Sequence, residues 1–316
     1  AVYGFPTKYE NSRWILINED MFKEAGLDIP YDGWTYSEFL ADAEKLTHGE
    51  DQDKVYGVCW ARKQSGKSIL YALDGVLGAN QIYKNEEGTE VNFDNDVYRA
   101  GFNLVKETLD KGYAIPIEDE FSEDISVANT FLQGKCAIML GVAQMRLCMD
   151  QENYPHDFTT ALVPAPVPDD EKYNTEFYRK QIGTTGAGDL LSISANTKYP
   201  EASFEFAMWY LKGGMSPLVQ GGRIPLWNGV NKDEVLSVLK EKAQGSIDMD
   251  SMENYLSLDT TQGVAAIKGH ASSEISSAWF EEFDAMCYGK QSVDQTVQNM
   301  EKRGNELIQT ELSSQK

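Results

Sequence analysis

The sequence predicts an α/β protein, on three observations. Short apolar runs that read as strands alternate with longer segments of helical periodicity, the mark of an α/β architecture with largely parallel sheets. Capping residues and glycines punctuate these segments where helices start and stop. The 316 residues are 41% hydrophobic and 11% aromatic, enough apolar material for one or two cores, and at roughly 150 residues per domain the length suggests about two.

The elements follow in order. Arg13-Trp14-Ile15-Leu16-Ile17 reads as a strand, and Asn18 caps a helix from Glu19 to Ala25 that stops at Gly26. Thr35-Tyr36-Ser37-Glu38 is a capping box, followed by Phe39, Leu40, Ala43 and Leu46 at helical spacing. Val55 to Trp60 reads as a strand and Ser68 to Leu77 as a helix. Asp94 is the expected cap of a helix whose inner face is Val97, Gly101, Leu104, Val105 and Thr108, with Gly112 ending it. Ser122 is expected to start a helix running to Leu132, with Gly134 after it. Cys136 to Leu140, Phe158 to Leu162 and Leu190 to Ser194 read as strands. Pro200 opens a helix with Ala202, Phe206, Trp209 and Tyr210 on its apolar side, stopped by Gly213-Gly214. Helices then follow at Lys232 to Lys242, Ala271 to Tyr288 and Val293 to Glu311, the last capped by Ser292.

Composition narrows the function classes. Lys and Arg number 28 against 50 Asp and Glu, a formal charge of −22. Nucleic-acid binding needs clustered cations to neutralise phosphates, so no nucleic-acid partner is expected, and an anionic membrane surface is equally unsuited. No apolar run approaches the ~20 residues a bilayer span needs. Cys59, Cys136, Cys148 and Cys287 have no C-x-x-C spacing and are read as buried thiols. His48, His156 and His270 are scattered, so neither a metal site nor any other cofactor is expected.

Three motifs tempt and fail. Ser65-Gly66-Lys67-Ser68 resembles the end of a phosphate-binding loop, but Ala61 stands where that loop needs glycine. Gly183 to Gly188 is glycine-rich but precedes a strand, whereas a dinucleotide fingerprint lies between strand and helix. Asp94-Asn95-Asp96 opens like a calcium loop, and Tyr98 and Arg99 break the ligand pattern. No G-x-S-x-G occurs, and no histidine has a nucleophile beside it.

The informative feature is aromatic and polar residues at loop edges: Tyr9-Glu10-Asn11 before a strand, Trp60 and Arg62 after one, Gln144 and Arg146 after another, and Arg223 to Asn228 in a Pro/Gly-bounded loop. Aromatic faces stack on sugar rings, and planar polar groups bond hydroxyls in pairs. Trp14, Trp209 and Trp279 lie in apolar patterns and are read as core.

Four stretches, in order along nearly the whole chain, carry a resemblance. Tyr3-Gly4-Phe5-Pro6 with Leu16-Ile17-Asn18-Glu19-Asp20-Met21-Phe22 is like Y-G-[IV]-P…Y-N-K-D-[LM]-F. Ala25-Gly26-Leu27 with Gly33-Trp34-Thr35-Tyr36-Ser37-Glu38-Phe39 is like A-G-L…P-x-T-W-[DE]-E-[FL]. Phe131-Leu132-Gln133-Gly134-Lys135-Cys136-Ala137-Ile138-Met139 is like F-x-x-G-K-A-A-M. Gly188 to Ser194 with Tyr199 to Phe206 is like G-x-x-L-A-I-S-x-x-S-K-x-P-E-A-A-W-E-F. Together they resemble the extracellular solute-binding proteins of ABC importers, in particular the sugar-binding, maltose-binding-protein-like family.

The resemblance implies a type II periplasmic-binding-protein fold: two lobes, hinge crossovers between them and the solute in the cleft. It implies that Tyr3 to Pro6 is the first crossover, so that lobe one is incomplete in this chain. Residues 7–182 would be the main part of lobe two, 183–255 a remnant of lobe one, and 256–316 C-terminal helices returning to lobe two. Tyr9, Glu10 and Asn11 would contact ligand, Gly186 and Ala187 would lie at a second crossover, and the loop from Gly221 to Asn228 at the rim of lobe one. The family pattern is not matched everywhere: Gln144 stands where sugar binders commonly place a stacking Trp, and Ser276 or Ser277 where another stands. The implied function is non-enzymatic capture of a carbohydrate and its delivery to the transmembrane subunits of an ABC permease. The implied location is extracellular or periplasmic, with a lipid anchor upstream.

Other readings stay open on the residues. Glu10, Arg62 and Arg223 suit a charged solute such as a peptide, polyamine or metal chelate. A carbohydrate-active enzyme would need two converging carboxyls, and Glu10 is the single acidic cleft candidate. A chain lacking part of lobe one would also expose apolar faces and self-associate.

Overall fold

A computed structural model describes residues 4–9, 14–60, 82–122, 127–141, 144–175, 179, 190–214, 216–227, 229–257 and 269–314. Strands alternate with helices. The main sheet has four strands in the order β4(Tyr56–Cys59), β5(Cys136–Leu140), β3(Trp14–Asn18), β6(Thr160–Pro164). β4 and β5 pair in parallel, while β3 is antiparallel to both β5 and β6. The largely parallel sheet expected from the alternation is thus a mixed one. Helical crossovers impose a parallel sense only on the strands they join. β3 lies between β5 and β6 and runs against its neighbours.

All five residues of β3, β5 and β6 are buried, so both faces of the sheet are covered. Side chains alternate between two cores. Ile15, Ile17, Ile138, Leu140, Ala161 and Val163 join Phe22, Trp34, Phe39 and Trp60 on one face. Trp14, Leu16, Cys136, Met139 and Leu162 join Phe131, Ile224, Leu239 and Tyr255 on the other.

The helices begin where local chemistry places them. Asn18 caps α1(Glu19–Glu24), its side chain accepting from Met21 N–H at 3.1 Å. The box at α2(Tyr36–Leu46) is complete: Glu38 N–H donates to Thr35 Oγ1 at 3.2 Å and Thr35 N–H to Glu38 Oε2 at 2.7 Å. The cap of α3(Asp96–Asp110) is Asn95, not Asp94. Its Oδ1 accepts from both Val97 and Tyr98 N–H at 3.0 Å, while Asp94 pairs with Arg99. That geometry makes Asp94-Asn95-Asp96 a helix start rather than a calcium loop. Ser122 ends α4(Ile117–Ser122) instead of starting a helix, and α5(Val127–Leu132) follows. Gly26, Gly112 and Gly134 stand with positive φ after α1, α3 and α5 as expected.

Further corrections concern strands and thiols. The expected strand 158–162 forms two residues later, and Leu190 to Ser194 keeps only β7(Leu190–Leu191). Cys59 and Cys136 are joined as a disulfide rather than lying as separate thiols. Parallel pairing of β4 with β5 brings them together across 77 residues, a juxtaposition that spacing along the chain does not reveal. Cys148 is a buried free thiol, and burial pushes its pKa up to about 12. The expected helix 68–77, the lysine loop at 65–68 and the glycine cluster at 183–188 lie outside the described residues.

Three helices near the C-terminal half cover the second face of the main sheet. α8(Ser216–Val219), α9(Lys232–Ala243) and α10(Met249–Ser257, not anticipated) pack Val219, Val235, Leu239 and Met252 into the main sheet's second core. Ser251 Oγ accepts from Leu162 N–H of β6 at 3.0 Å. α7(Pro200–Trp209) stands apart from both cores. Phe206 is 56% and Trp209 60% exposed, so Trp209 is not core as expected. Its sequence is apolar on more than one side, and its rings pack on one another: Phe206 lies 5.7 Å from Trp209. Trp14 and Trp279 are buried as expected. At the C-terminus α11(Ser272–Cys287) and α12(Val293–Ser314) pair through Arg303, whose Nη1 donates to Glu282 Oε1 at 2.7 Å. Ser292 Oγ accepts from Gln295 N–H at 3.2 Å, the expected cap.

Candidate functional site

Two short antiparallel ladders gather the candidate residues. β1(Phe5–Pro6) pairs with β7, Phe5 opposite Leu191. β2(Lys8–Tyr9) pairs with β8(Ile224–Pro225), Tyr9 opposite Ile224. The second ladder sets Tyr9 beside the loop that carries Arg223 and Trp227.

That loop is held by a turn and a seat. Gly221, Gly222 and Arg223 N–H groups donate to Leu218, Val219 and Leu218 carbonyls at 2.9, 2.8 and 3.1 Å. Gly222 has φ +75°, a conformation glycine adopts without strain. A β-carbon there would lie 2.7 Å from Met149 Cε and 3.0 Å from Arg146 Cβ, so the loop rests directly on α6(Met145–Cys148) and the residue after it. Gln144 precedes α6, its N–H donating to Gly141 O at 3.0 Å. Its side chain takes no part in capping the helix. Ile224 and Met149 are buried in the same core beneath. Tyr9, Gln144, Arg223 and Trp227 are therefore carried by elements in direct contact.

Trp227 is 40% exposed. Its benzo edge lies over Gly229: a β-carbon at that position would stand 2.5 Å from Cη2 and Cζ2. The indole thus rests on bare backbone while part of it faces solvent. Gly222 belongs to the expected rim loop without a role of its own, and Gly229 lies one residue beyond it. The sequence signal was present as glycines on either side of an aromatic, but spacing alone does not say what each one touches.

Trp60 sits elsewhere. It is 3% exposed, its ring 5.8 Å from Phe39, and its Nε1–H donates to Thr108 Oγ1 at 2.8 Å. Following a strand edge it reads as a loop residue, but α3 covers it from 48 positions away. Its indole is a core packing element. Glu10, Asn11, Arg62, Gly186 and Ala187 lie outside the described residues. Among the described residues no group of three His, Cys, Asp or Glu could hold a metal ion, and no helix is long and apolar enough to cross a membrane.

The model of the bacterial extracellular solute-binding proteins matches residues 1–212. The chain belongs to that family. Solved structures agree on the fold. A sugar transporter from Rhizobium etli in an open conformation superimposes with a TM-score of 0.70 at 17% identity, over 98% of this chain and 72% of that one. An ABC substrate-binding protein from Listeria monocytogenes in complex with cycloalternan gives 0.66 at 17% identity, over 96% and 71%. The sugar-binding protein MalE from Xanthomonas citri gives 0.66 at 16%, over 98% and 71%. The expected type II periplasmic-binding-protein architecture is the one these structures share.

Proposed function

We propose that this solute-binding protein captures a carbohydrate and delivers it to the transmembrane subunits of an ABC permease, without chemistry of its own. What supports the reading is that the elements carrying Tyr9, Gln144, Arg223 and Trp227 touch one another, through the β2–β8 ladder and the contact of Gly222 with Met149 and Arg146. An indole with a solvent-facing part suits a sugar ring, and the Gln144 amide and Arg223 guanidinium suit vicinal hydroxyls. Glu10, Asn11, Arg62, Gly186 and Ala187 complete the proposed site. Trp60 is left out of it because its indole is buried and bonded to Thr108. Structural relatives include one in complex with cycloalternan and one described as sugar-binding. The packing of 216–257 on the main sheet favours counting that segment with residues 7–182 and the C-terminal helices as lobe two, with β7 and α7 as the lobe-one part.

The location proposed is the periplasm or cell exterior, with a lipid anchor. Tyr199, Phe204, Phe206 and Trp209, all exposed on and beside α7, support self-association of the chain in this form.

A thermal-shift screen of glucose, maltose, trehalose and maltotetraose tests the capture reading. A ligand at a hundred times its Kd adds about 2.7 kcal/mol of stability, and Trp227→Ala should abolish the rise. Stabilisation by a peptide or polyamine and by no sugar would overturn the carbohydrate reading. Hydrolysis of a bound sugar would overturn the non-enzymatic one.

A further inference from the structure

A concave surface lies between α2, α3 and the loop after β6, lined by none of the candidate site residues. It is a half-open groove of about 370 Å³. Its floor is apolar: Leu40 from α2, Val97, Ala100 and Leu104 from α3, and Pro168. Along α3 the lining residues recur over three turns from Asp96 to Glu107, a length of about 16 Å at 1.5 Å per residue. The groove is therefore elongated.

Its rim is acidic, formed by Asp96, Glu107, Asp169 and Asp170, and no Lys or Arg among the described residues lines it. Glu107 pairs with Lys111 at 2.7 Å, and Asp96 stands 3.8 Å from Arg99. Asp169 and Asp170 have no ion pair among the described residues. From the described residues they accept backbone N–H bonds, Asp169 from Ser37 at 3.4 Å and Asp170 from Lys172 at 2.8 Å. Beside them the Lys172 ammonium sits over the Tyr173 ring at 4.8 Å, so this wall already receives a cation.

We propose that this groove docks a basic, amphipathic segment of a protein partner. One large apolar side chain enters between Leu40 and Leu104, and flanking Lys or Arg residues meet Asp169, Asp170 and Asp96. Charge complementarity selects the occupant. A second copy of this chain, net −22, would meet this acidic rim with like charge, so any pairing of copies uses the exposed rings of α7 and not this groove. A bare metal ion has no use for an apolar floor. Buried apolar contact supplies the affinity, and the rim supplies register and on-rate.

The test uses the full chain and a fluorescein-labelled peptide, Gly-Lys-Arg-Leu-Lys-Arg-Gly, followed by anisotropy at 50 and 300 mM salt. Saturable binding is expected, at least tenfold weaker for the Leu→Ser peptide, whose side chain no longer buries an apolar surface on the floor. Ala100→Arg fills the floor with a like charge and should weaken binding at least tenfold. Asp169→Asn with Asp170→Asn should weaken it roughly 3- to 10-fold. Each variant's melting temperature is read in parallel, and if Ala100→Arg melts early the carboxamide pair decides. Equal binding of the serine peptide, or undiminished binding by both variants, would reduce the attraction to the chain's general negative charge and overturn the proposal. Displacement of the peptide by an equal concentration of spermine would overturn it in favour of a small polyamine.

Discussion

Replacing Trp60 by Phe separates a packing role from a ligand role. Trp60 ends a row of rings, Phe22, Trp34, Phe39 and Trp60, with successive centroids 6.1, 5.0 and 5.8 Å apart. Its Nε1–H bonds Thr108 Oγ1, which in turn donates to Val105 O at 2.8 Å. Phenylalanine keeps one ring and loses the other together with that bond. A buried Trp or Phe truncated to Ala costs about 3–5 kcal/mol, so the partial truncation should cost roughly 1.5–2. The neutral hydrogen bond adds about 1 kcal/mol. The total, about 2.5–3 kcal/mol, corresponds to a fall in Tm of roughly 5–10 °C for a unit of this size. Urea denaturation measures the stability, and titration with the sugar found in the screen measures affinity, which should stay within about threefold. Thr108→Val leaves the indole N–H without its acceptor and should cost about 1–3 kcal/mol, with much of that cost absent in the Trp60→Phe background. A Trp60→Phe protein of unchanged stability that no longer binds sugar would refute the packing assignment.

Three other outcomes are expected. Burial raises the Asp42 carboxyl to about 6, with Lys45 opposing and Glu38 and Asp28 adding to it. A raised carboxyl pKa means the fold favours the protonated form, so its contribution to stability falls as pH rises from about 4 through 6. Asp42→Asn should therefore stabilise the protein at pH 8 and leave it unchanged at pH 4 in urea melts, and an equal effect at both would count against the shift. Thiol titration of the denatured, unreduced chain should find two reactive cysteines, because Cys59 and Cys136 are joined, and a count of four would refute the pairing. Gly229→Ala places a methyl where the Trp227 benzo edge lies, at 2.5 Å, and should shift the tryptophan emission and weaken sugar binding roughly tenfold with little change in Tm. Unaltered emission would mean that Gly229 does not set the indole's position.

Much of the fold is legible because its signals are local. Asn18, the Thr35–Glu38 box, Pro200 and Ser292 each declare a helix start by chemistry completed within three or four residues, and each stands where expected. Asp94 and Asn95 compete for one cap, and only the backbone geometry decides for Asn95. β6 forms two residues later because Phe158 to Pro164, Phe-Thr-Thr-Ala-Leu-Val-Pro, has no alternation to fix its ends. What stays hidden is non-local. The disulfide depends on β4 lying beside β5, and the burial of Trp60 depends on α3. An apolar pattern in α7 says that its residues want cover and is silent about what covers them. In the site, residue types marked Tyr9, Gln144, Arg223 and Trp227 singly. That the elements carrying them touch needs the β2–β8 register and the contact at Gly222.

The placement of β3 sets the kinetics of opening. Its odd residues, Ile15 and Ile17, belong to one core, and its even residues, Trp14 and Leu16, to the other. The strand is a wall common to two rooms, bonded on one edge to β5 and on the other to β6. Neither core can come apart without stripping one face of that wall and weakening its hold on the other. Hydrogen exchange should accordingly find the Ile15, Leu16 and Ile17 amides among the last to exchange, at the free energy of global rather than local opening. Their rates should slow together when a bound solute stabilises the fold.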